Sequence, residues 1–329
     1  MPELLIPVII IALLFEISNG WNDSANAIAT VVSTRVLSPF RAVVLAAGMN
    51  MLGAFFSTAV AKTIGKGIVA PTAINEAVVA SALAAGFIWN GAMTLVGLPV
   101  SASHALIGSV MGASVAYGGF GILNLAGLQK IFFALLTSPI FGIVFGFAFM
   151  KAIIRLFGRY SPGSVNRNFG KLQLLSSGFM AFSHGSNDAQ KVMGIITLSL
   201  VAGGWIDSLV VPKWVIIMCA MAMGLGTAMG GWRVIKTLGV KMLQLQPVHG
   251  FAAETAATAI ILGASSMGLP VSTTHVISTT IMGVGATRRL SAVRWGIAGK
   301  ILAAWIFTLP ACFAVAWLAC RIMLLVLPL

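Results

Sequence analysis

The 329-residue chain is 59% hydrophobic and only 8% charged, where ordinary soluble proteins carry roughly a quarter charged residues. With a mean hydropathy of +1.01, this excludes a soluble globular fold and predicts an all-α polytopic membrane protein. A net charge of +13 would point to nucleic acid in a soluble chain; here it reads as the Lys and Arg excess of cytoplasmic loops, and no nucleic-acid partner is expected.

Hydropathy marks ten apolar stretches, at about 4–33, 40–64, 72–97, 100–117, 128–157, 171–201, 211–232, 248–267, 271–287 and 293–326. The first begins "LLIPVIIIALLF", with Glu3 where the basic region of a signal peptide would stand and no small-residue cleavage site behind it, so it reads as a span. Further along it, Glu16, Asn19, Asp23, Asn26 and Thr30 recur at spacings of 3, 4, 3 and 4, which sets all five on one helix face. A carboxylate near the bilayer centre costs at least ~2.5–3.5 kcal/mol, so this stripe must face protein, water or ions. A polar seam between helices is the plainer alternative. Gly20, just before Asn22 and Asp23, is expected to loosen the helix and free carbonyls as cation ligands.

The second stretch contains "GAFFSTA", which reads as close helix packing. Glu76, near the outer end of the third, is expected to be solvated. Between the third and fourth lies "GLPVSASH", Gly97 to His104. Pro99 cannot continue the preceding helix and Ser101 is a good N-cap for the next. A helix starting there points free N–H groups and its positive dipole end into the membrane, which suits an anion. Ser103 adds a hydroxyl, and His104 is expected to brace the hairpin rather than catalyse.

After the fifth stretch comes the long polar connection "GRYSPGSVNRNFGK". It predicts a cytoplasmic linker at 158–170 between two halves, 1–157 and 171–329. The sixth stretch holds "SHGSNDAQKVMG", where His184, Asp188 and Lys191 share a face and Asn187 precedes the aspartate. Gly185 is expected to loosen this helix as Gly20 does the first. Lys191 either pairs with Asp188 one turn back or screens an anion. In the eighth stretch Glu254 lies 16 residues before Pro270, about 24 Å along a straight helix, which assigns it to a gate, supporting or surface position. The ninth opens on "GLPVSTTH", with Ser272, Thr273, Thr274 and His275. Cys219, Cys312 and Cys320 all lie in apolar runs, so neither a disulfide framework nor a cysteine metal site is expected.

The two GLPVS motifs are identical at six of eight positions with an offset of 171, and "NGWND" is echoed by "HGSND" at an offset of 165. Two motifs repeated in order across half the chain predict an internal duplication. Placing the linker in the cytoplasm and threading outward puts thirteen basic residues inside and four (Lys62, Lys66, Lys130 and Lys213) outside. Both termini are then extracytoplasmic, and each half crosses an odd number of times. The predicted fold is two inverted-topology repeats, each with membrane-spanning helices plus a re-entrant helical hairpin.

Such a fold brings two helix N-termini to a midplane site flanked by Asp23 and Asp188. Asp23, Asn26, Asp188 and Asn187 form the predicted cation-binding set, hard oxygen donors that suit Na⁺ as well as Mg²⁺ or Ca²⁺. Asn22, Asn187, Asp23, Asp188, Ser101, Ser103, Ser272, Thr273 and Thr274 form the predicted anion-binding set, with Glu16, Lys191 and Glu254 as gate or support. No catalytic residue, cofactor or metal beyond the coupling cation is expected.

"NGWNDSANAIATVVSTR" with "SHGSNDAQKVMG", and "GLPVSASH" with "GLPVSTTH", resemble the paired signatures of the inorganic phosphate transporter (PiT) family, of the bacterial and archaeal permease type. The resemblance covers both halves. It implies a cation-coupled phosphate symporter of the cell membrane, with re-entrant hairpins, an elevator-like transport domain and a homodimeric assembly in lipid. The coupling cation, Na⁺ or H⁺, stays open. The chain lacks the large central loop of animal members, and Ala102 stands where the second motif has Thr273, so the two tips need not donate equally. A sulfate permease of the same fold is the nearest alternative, followed by an anion channel and an intramembrane hydrolase. The duplicated layout argues against the hydrolase, because catalysis needs one asymmetric constellation.

Overall fold

Prolines and capping side chains set where the apolar runs start as helices. A computed structural model describes residues 4–326 of the chain; Glu3 lies outside them. The helices are α1 (Leu5–Ser33), α2 (Pro39–Ala54), α3 (Ala59–Gly67), α4 (Glu76–Val96), α5 (Ala102–Gly118), α6 (Leu125–Phe157), α7 (Pro162–Ala202), α8 (Lys213–Met229), α9 (Trp232–Lys236), α10 (Pro247–Ser266), α11 (Thr273–Ala286) and α12 (Trp295–Val326). A π turn, Thr237–Lys241, extends α9. Helices α2, α7 and α10 have proline in their first turn, where its missing N–H goes unused.

The order of elements repeats. A long helix, a bent pair, a hairpin and a long helix with an internal proline occur as α1, α2–α3, α4–α5, α6 and again as α7, α8–α9, α10–α11, α12. The bent pairs turn by 71° and 62°. The internal prolines, Pro139 and Pro310, stand at the same offset as the GLPVS motifs. Each bend is held by a side chain from a neighbouring long helix. Gln190 of α7 accepts from Val60 N at 2.8 Å at the start of α3, and Ser24 of α1 accepts from Gly231 N at 2.7 Å at the start of α9.

Packing follows the same exchange. Helix α5 lies on α12 while α11 lies on α6; α1 lies on α8 while α7 lies on α2; α1 and α7 pack on each other. Swapping the two halves maps each of these pairs onto another.

Three sequence expectations change here. The second stretch is a bent pair, α2–α3, and the seventh, essentially α8, ends at the bend into α9. The predicted linker at 158–170 is largely helical, because Ser161 caps a helix beginning at Pro162, its side chain accepting from Ser164 N. Gly20 and Gly185 do not loosen their helices: α1 and α7 run unbroken through both. Their lack of a side chain serves close approach instead. A Cβ on Gly20 would come within 2.6 Å of the Met223 carbonyl, and one on Gly185 would overlap the Asn50 carbonyl.

Among the described residues four helices, α1, α4, α6 and α12, are long and apolar enough to cross a membrane, or up to six spans if each bent pair counts as one. Helix α7 falls outside that count because its polar residues face protein: Ser176 to Leu200 is buried almost throughout. Large apolar side chains instead cover the outside, including Phe133, Leu136 and Ile140 on α6 and Ile306 and Phe307 on α12. So extensive an apolar exterior belongs against lipid.

Candidate functional site

The hairpin turns are built alike. Gly97 and Gly268 adopt φ of +81° and +69°, a left-handed conformation that costs glycine little, and end the first arms. After Pro99 and Pro270 the chain enters α5 and α11 through Ser101 and Ser272, whose backbone angles agree within 1°. Their Oγ atoms accept from His104 N at 3.2 Å and His275 N at 3.3 Å, the N-caps expected from the sequence. The two tips clasp each other. Ser103 Oγ donates to the Val271 carbonyl at 3.3 Å, and Thr274 Oγ1 lies 3.1 Å from the Val100 carbonyl.

The asparagines dock the long helices on these hairpins. Asn22 Nδ2 donates to Thr94 Oγ1 and Asn187 Nδ2 to Ser265 Oγ, both at 2.8 Å. These are again equivalent pairs, since Thr94 and Ser265 are 171 residues apart.

At the centre Asp23 of α1 and Asp188 of α7 are both buried. Thr273 Oγ1 lies 2.9 Å from Asp188 Oδ2 and 3.5 Å from Asp23 Oδ2, so the second tip bridges them. Thr274 Oγ1 lies 3.3 and 3.4 Å from the Asp23 oxygens and accepts from Asn26 Nδ2 at 2.9 Å. Ala102 offers nothing comparable at the first tip, so the tips do donate unequally. His184 also stands between the carboxylates, with Nε2 at 3.2 Å from Asp188 Oδ2 and 3.6 Å from Asp23 Oδ2. One ligand atom from each of the three residues falls within 4.8 Å of the others. Asn50 Nδ2 donates to Thr227 Oγ1, which donates to Met223 O. Asn50 Oδ1 in turn lies 2.9 Å from His184 Nδ1 and so fixes the orientation of the ring between the carboxylates.

Lys191 reaches into the same centre although it is only 2% exposed. Its ammonium pairs with Asp188 Oδ1 and donates to Ser103 Oγ at 2.6 Å and to the Val271 carbonyl at 3.0 Å. It thus ties α7 to both hairpins. Along α1 the buried polar side-chain atoms left without a hydrogen bond are all oxygens: Glu16 Oε1, Asn19 Oδ1, Asn22 Oδ1 and Asn26 Oδ1. Asn187 Oδ1 joins them from α7. Acceptors without donors suit a cation.

Glu16 is buried on the same stripe, with Asn19 Nδ2 at 3.4 Å from its Oε2. Glu254 is 0% exposed, which overturns the surface alternative for it. It accepts from Thr30 Oγ1 at 2.5 Å, from Gln173 Nε2 at 3.1 Å and from Ser176 Oγ, joining α10 to α1 and α7. Glu76, expected to be solvated, is 4% exposed: it is covered by the end of α7, where a Cβ on Gly203 would lie 2.7 Å from its Oε1. The His104 and His275 rings meet at 4.7 Å, and His275 lies on Trp305 at 3.9 Å, beside an apolar cavity of about 600 Å³.

Asn50, Gln173, Ser176 and Gln190 were not singled out from the sequence. Asn50, Gln173 and Ser176 are polar residues of apolar runs outside the repeated motifs, which is the signal that could have found them, whereas Gln190 lies inside the quoted stretch between Asp188 and Lys191 and was passed over there.

Comparison with known proteins agrees with this geometry. The model of a family described as the phosphate transporter family matches residues 19–316. A "Probable low-affinity inorganic phosphate transporter" of Bacillus subtilis (strain 168) is 46% identical over 310 residues, covering 93% of each chain. A protein of the same name from Rhizobium meliloti (strain 1021) is 45% identical, covering 94% of this chain and 93% of that one. A solved structure, "The sodium-dependent phosphate transporter", superposes with a TM-score of 0.91 at 25% identity, over 99% of this chain and 100% of that one. These relatives are named as transporters, not as enzymes. The chain therefore belongs to the phosphate transporter family, a multi-pass membrane protein built for transport rather than catalysis.

Proposed function

We propose that the chain imports inorganic phosphate across the cell membrane by symport with a cation, Na⁺ or H⁺, through alternating access to a midplane site. The observation that carries this reading is the meeting of two capped hairpin tips over the buried aspartates of α1 and α7. Ser101, Ser103, Ser272, Thr273 and Thr274, with Asn22, Asn187, Asp23 and Asp188, line the phosphate path. Of the predicted cation set (Asp23, Asn26, Asp188 and Asn187), Asp188 is already paired with the Lys191 ammonium, whereas Asn26 Oδ1 beside Asp23 is buried without a partner. Each helix N-terminus contributes on the order of 0.3–2 kcal/mol towards an anion, too little beside two carboxylates. A cation resolves the conflict, since a unit-charge pair 4 Å apart attracts by ~4 kcal/mol at an effective dielectric of 20. Each ligand then eases the binding of the other, which is the thermodynamic basis of coupling.

The tip hydroxyls already engage the aspartates and the backbone carbonyls of the opposite tip, so an anion must part the tips from α1 and α7 to reach the centre. That parting supplies the step between inward and outward access. The repeated element order and exchanged packing support two repeats, 1–157 and 171–329, joined through 158–170; the distribution of basic residues supports their inverted topology, with both termini extracytoplasmic. A homodimer in lipid is the assembly that the family resemblance implies. The names of the relatives favour phosphate, and nothing in them supports the sulfate alternative.

The test is phosphate uptake into proteoliposomes with Na⁺ and pH gradients imposed separately. Uptake driven by one gradient and resistant to excess sulfate is expected; uptake indifferent to both gradients would make the protein a channel.

A further inference from the structure

The two long helices α1 and α7 place their Asn-Asp pairs in equivalent surroundings, but one turn further on the residue type differs. At the offset of 165 that relates Asn22 to Asn187 and Asp23 to Asp188, the equivalent of Asn26 is Lys191. Around the first position stand the Asp23 carboxylate, Thr274 Oγ1 and the Val100 carbonyl, with Asn26 donating through Nδ2 to Thr274. Asn26 Oδ1 is buried without a hydrogen-bond partner. Around the second stand the Asp188 carboxylate, Ser103 Oγ and the Val271 carbonyl, which are the repeat counterparts of the first three. There all three oxygens are engaged by one group, the Lys191 ammonium.

A buried ammonium on a carboxylate, a hydroxyl and a carbonyl does what a bound monovalent cation would do there. It neutralises the aspartate, and it draws the tips of both hairpins onto α7. We propose that Lys191 is a tethered substitute for a transported cation: it permanently fills the second of two repeat-related cation sites, leaving the Asp23–Asn26 site as the exchangeable one. The chain then moves one cation fewer per phosphate than a transporter with two such sites open. The inference rests on the symport reading above and adds to it a residue that sets stoichiometry.

The alternative is that Lys191 is a structural pin, or a direct ligand of the phosphate. Replacing it distinguishes these. Lys191→Asn gives the second half the residue type of the first and leaves the Asp188 carboxylate buried without its counter-charge, a strong driving force for taking up a cation. Purified protein is assayed by equilibrium binding of ²²Na⁺, with elution as a monodisperse peak as the criterion of folding. Lys191→Asn is expected to bind one Na⁺ per chain more than the native protein, while Lys191→Arg, which keeps a fixed charge, gains none. No gain by folded Lys191→Asn, or an equal gain by Lys191→Arg, overturns the proposal.

A second measurement needs no variant. In proteoliposomes, the ratio of coupled cation to phosphate entering through the native chain is expected to be one, and a ratio of two or more overturns it. The two readings fail separately. If no gradient drives uptake, symport is lost, whereas the Na⁺ count compares native and variant proteins at equilibrium and requires no transport.

Discussion

Thr30 of α1 donates to Glu254 of α10 at 2.5 Å, deep in the protein and far along the helix from the hairpin tip. Gln173 and Ser176 of α7 complete the cluster. The repeat equivalents of Thr30, Gln173, Ser176 and Glu254 are Ile195, Val8, Ile11 and Leu83, of which Val8, Leu83 and Ile195 are fully buried in an apolar cluster. The two halves are therefore sealed differently, one by hydrogen bonds and one by apolar contact. Glu254→Ala leaves three donors without an acceptor and is expected to destabilise the protein by about 2–4 kcal/mol. Leu83→Ala is expected to lose a similar amount for a different reason, the cavity it leaves. Thermal unfolding in detergent measures both.

Asp23 and Asp188 differ in their partners, so their amides should differ in consequence. Asp23→Asn and Asp188→Asn are each expected to reduce gradient-driven phosphate uptake more than tenfold (about 1.4 kcal/mol or more of coupling lost) while the protein still inserts. Asp188→Asn should also unfold earlier, because it strands the Lys191 ammonium, a penalty of about 3–5 kcal/mol for a broken buried pair. Normal uptake by either variant removes that aspartate from the mechanism.

Thr273 is the tip residue that reaches both aspartates, and Ala102 is its counterpart. Thr273→Val keeps the shape and removes the hydroxyl, which is expected to weaken phosphate binding about tenfold, whereas Thr273→Ser stays within about threefold. Ala102→Ser should change affinity little, since the first tip lacks the second tip's partners. Phosphate titration of purified protein reads all three.

Helix packing around Gly185 leaves no room for a methyl group, whereas nothing lies within 4 Å of a Cβ placed on Gly91 or Gly263. Gly185→Ala is expected to lose about 1–3 kcal/mol through overpacking. Gly91→Ala and Gly263→Ala, in the interiors of α4 and α10, should instead gain up to about 1 kcal/mol from helix propensity. Size-exclusion profiles after heating separate the outcomes.

The repeated motifs made the centre legible before any coordinates. Asp23, Asp188 and the capping serines lie where two repeated signatures, read as helix starts and a polar stripe, place them. Lys191 pairs with Asp188 as its spacing suggested, yet its reach to Ser103 and Val271 depends on how the two hairpins meet, which no local pattern encodes. Gly20 and Gly185 were misread because a glycine before polar residues fits loosening and close contact equally well; the Met223 and Asn50 carbonyls across the interface decide it. The bend between α2 and α3 was invisible because the apolar run continues through it, and the group that holds it, Gln190, comes from 130 residues away. Hydropathy did mark α7 as the sixth stretch, though its polar face meets protein rather than lipid.

The exchange of neighbours between halves has a consequence for biogenesis. Gly108 and Gly112 of α5 pack directly on the backbone of Leu309 and Phe313 in α12, 201 residues later. As the nascent chain leaves the ribosome, α4 can settle on α1, but α5 has no bed beyond its own hairpin until the final helix is inserted, so maturation closes late and as a unit rather than half by half.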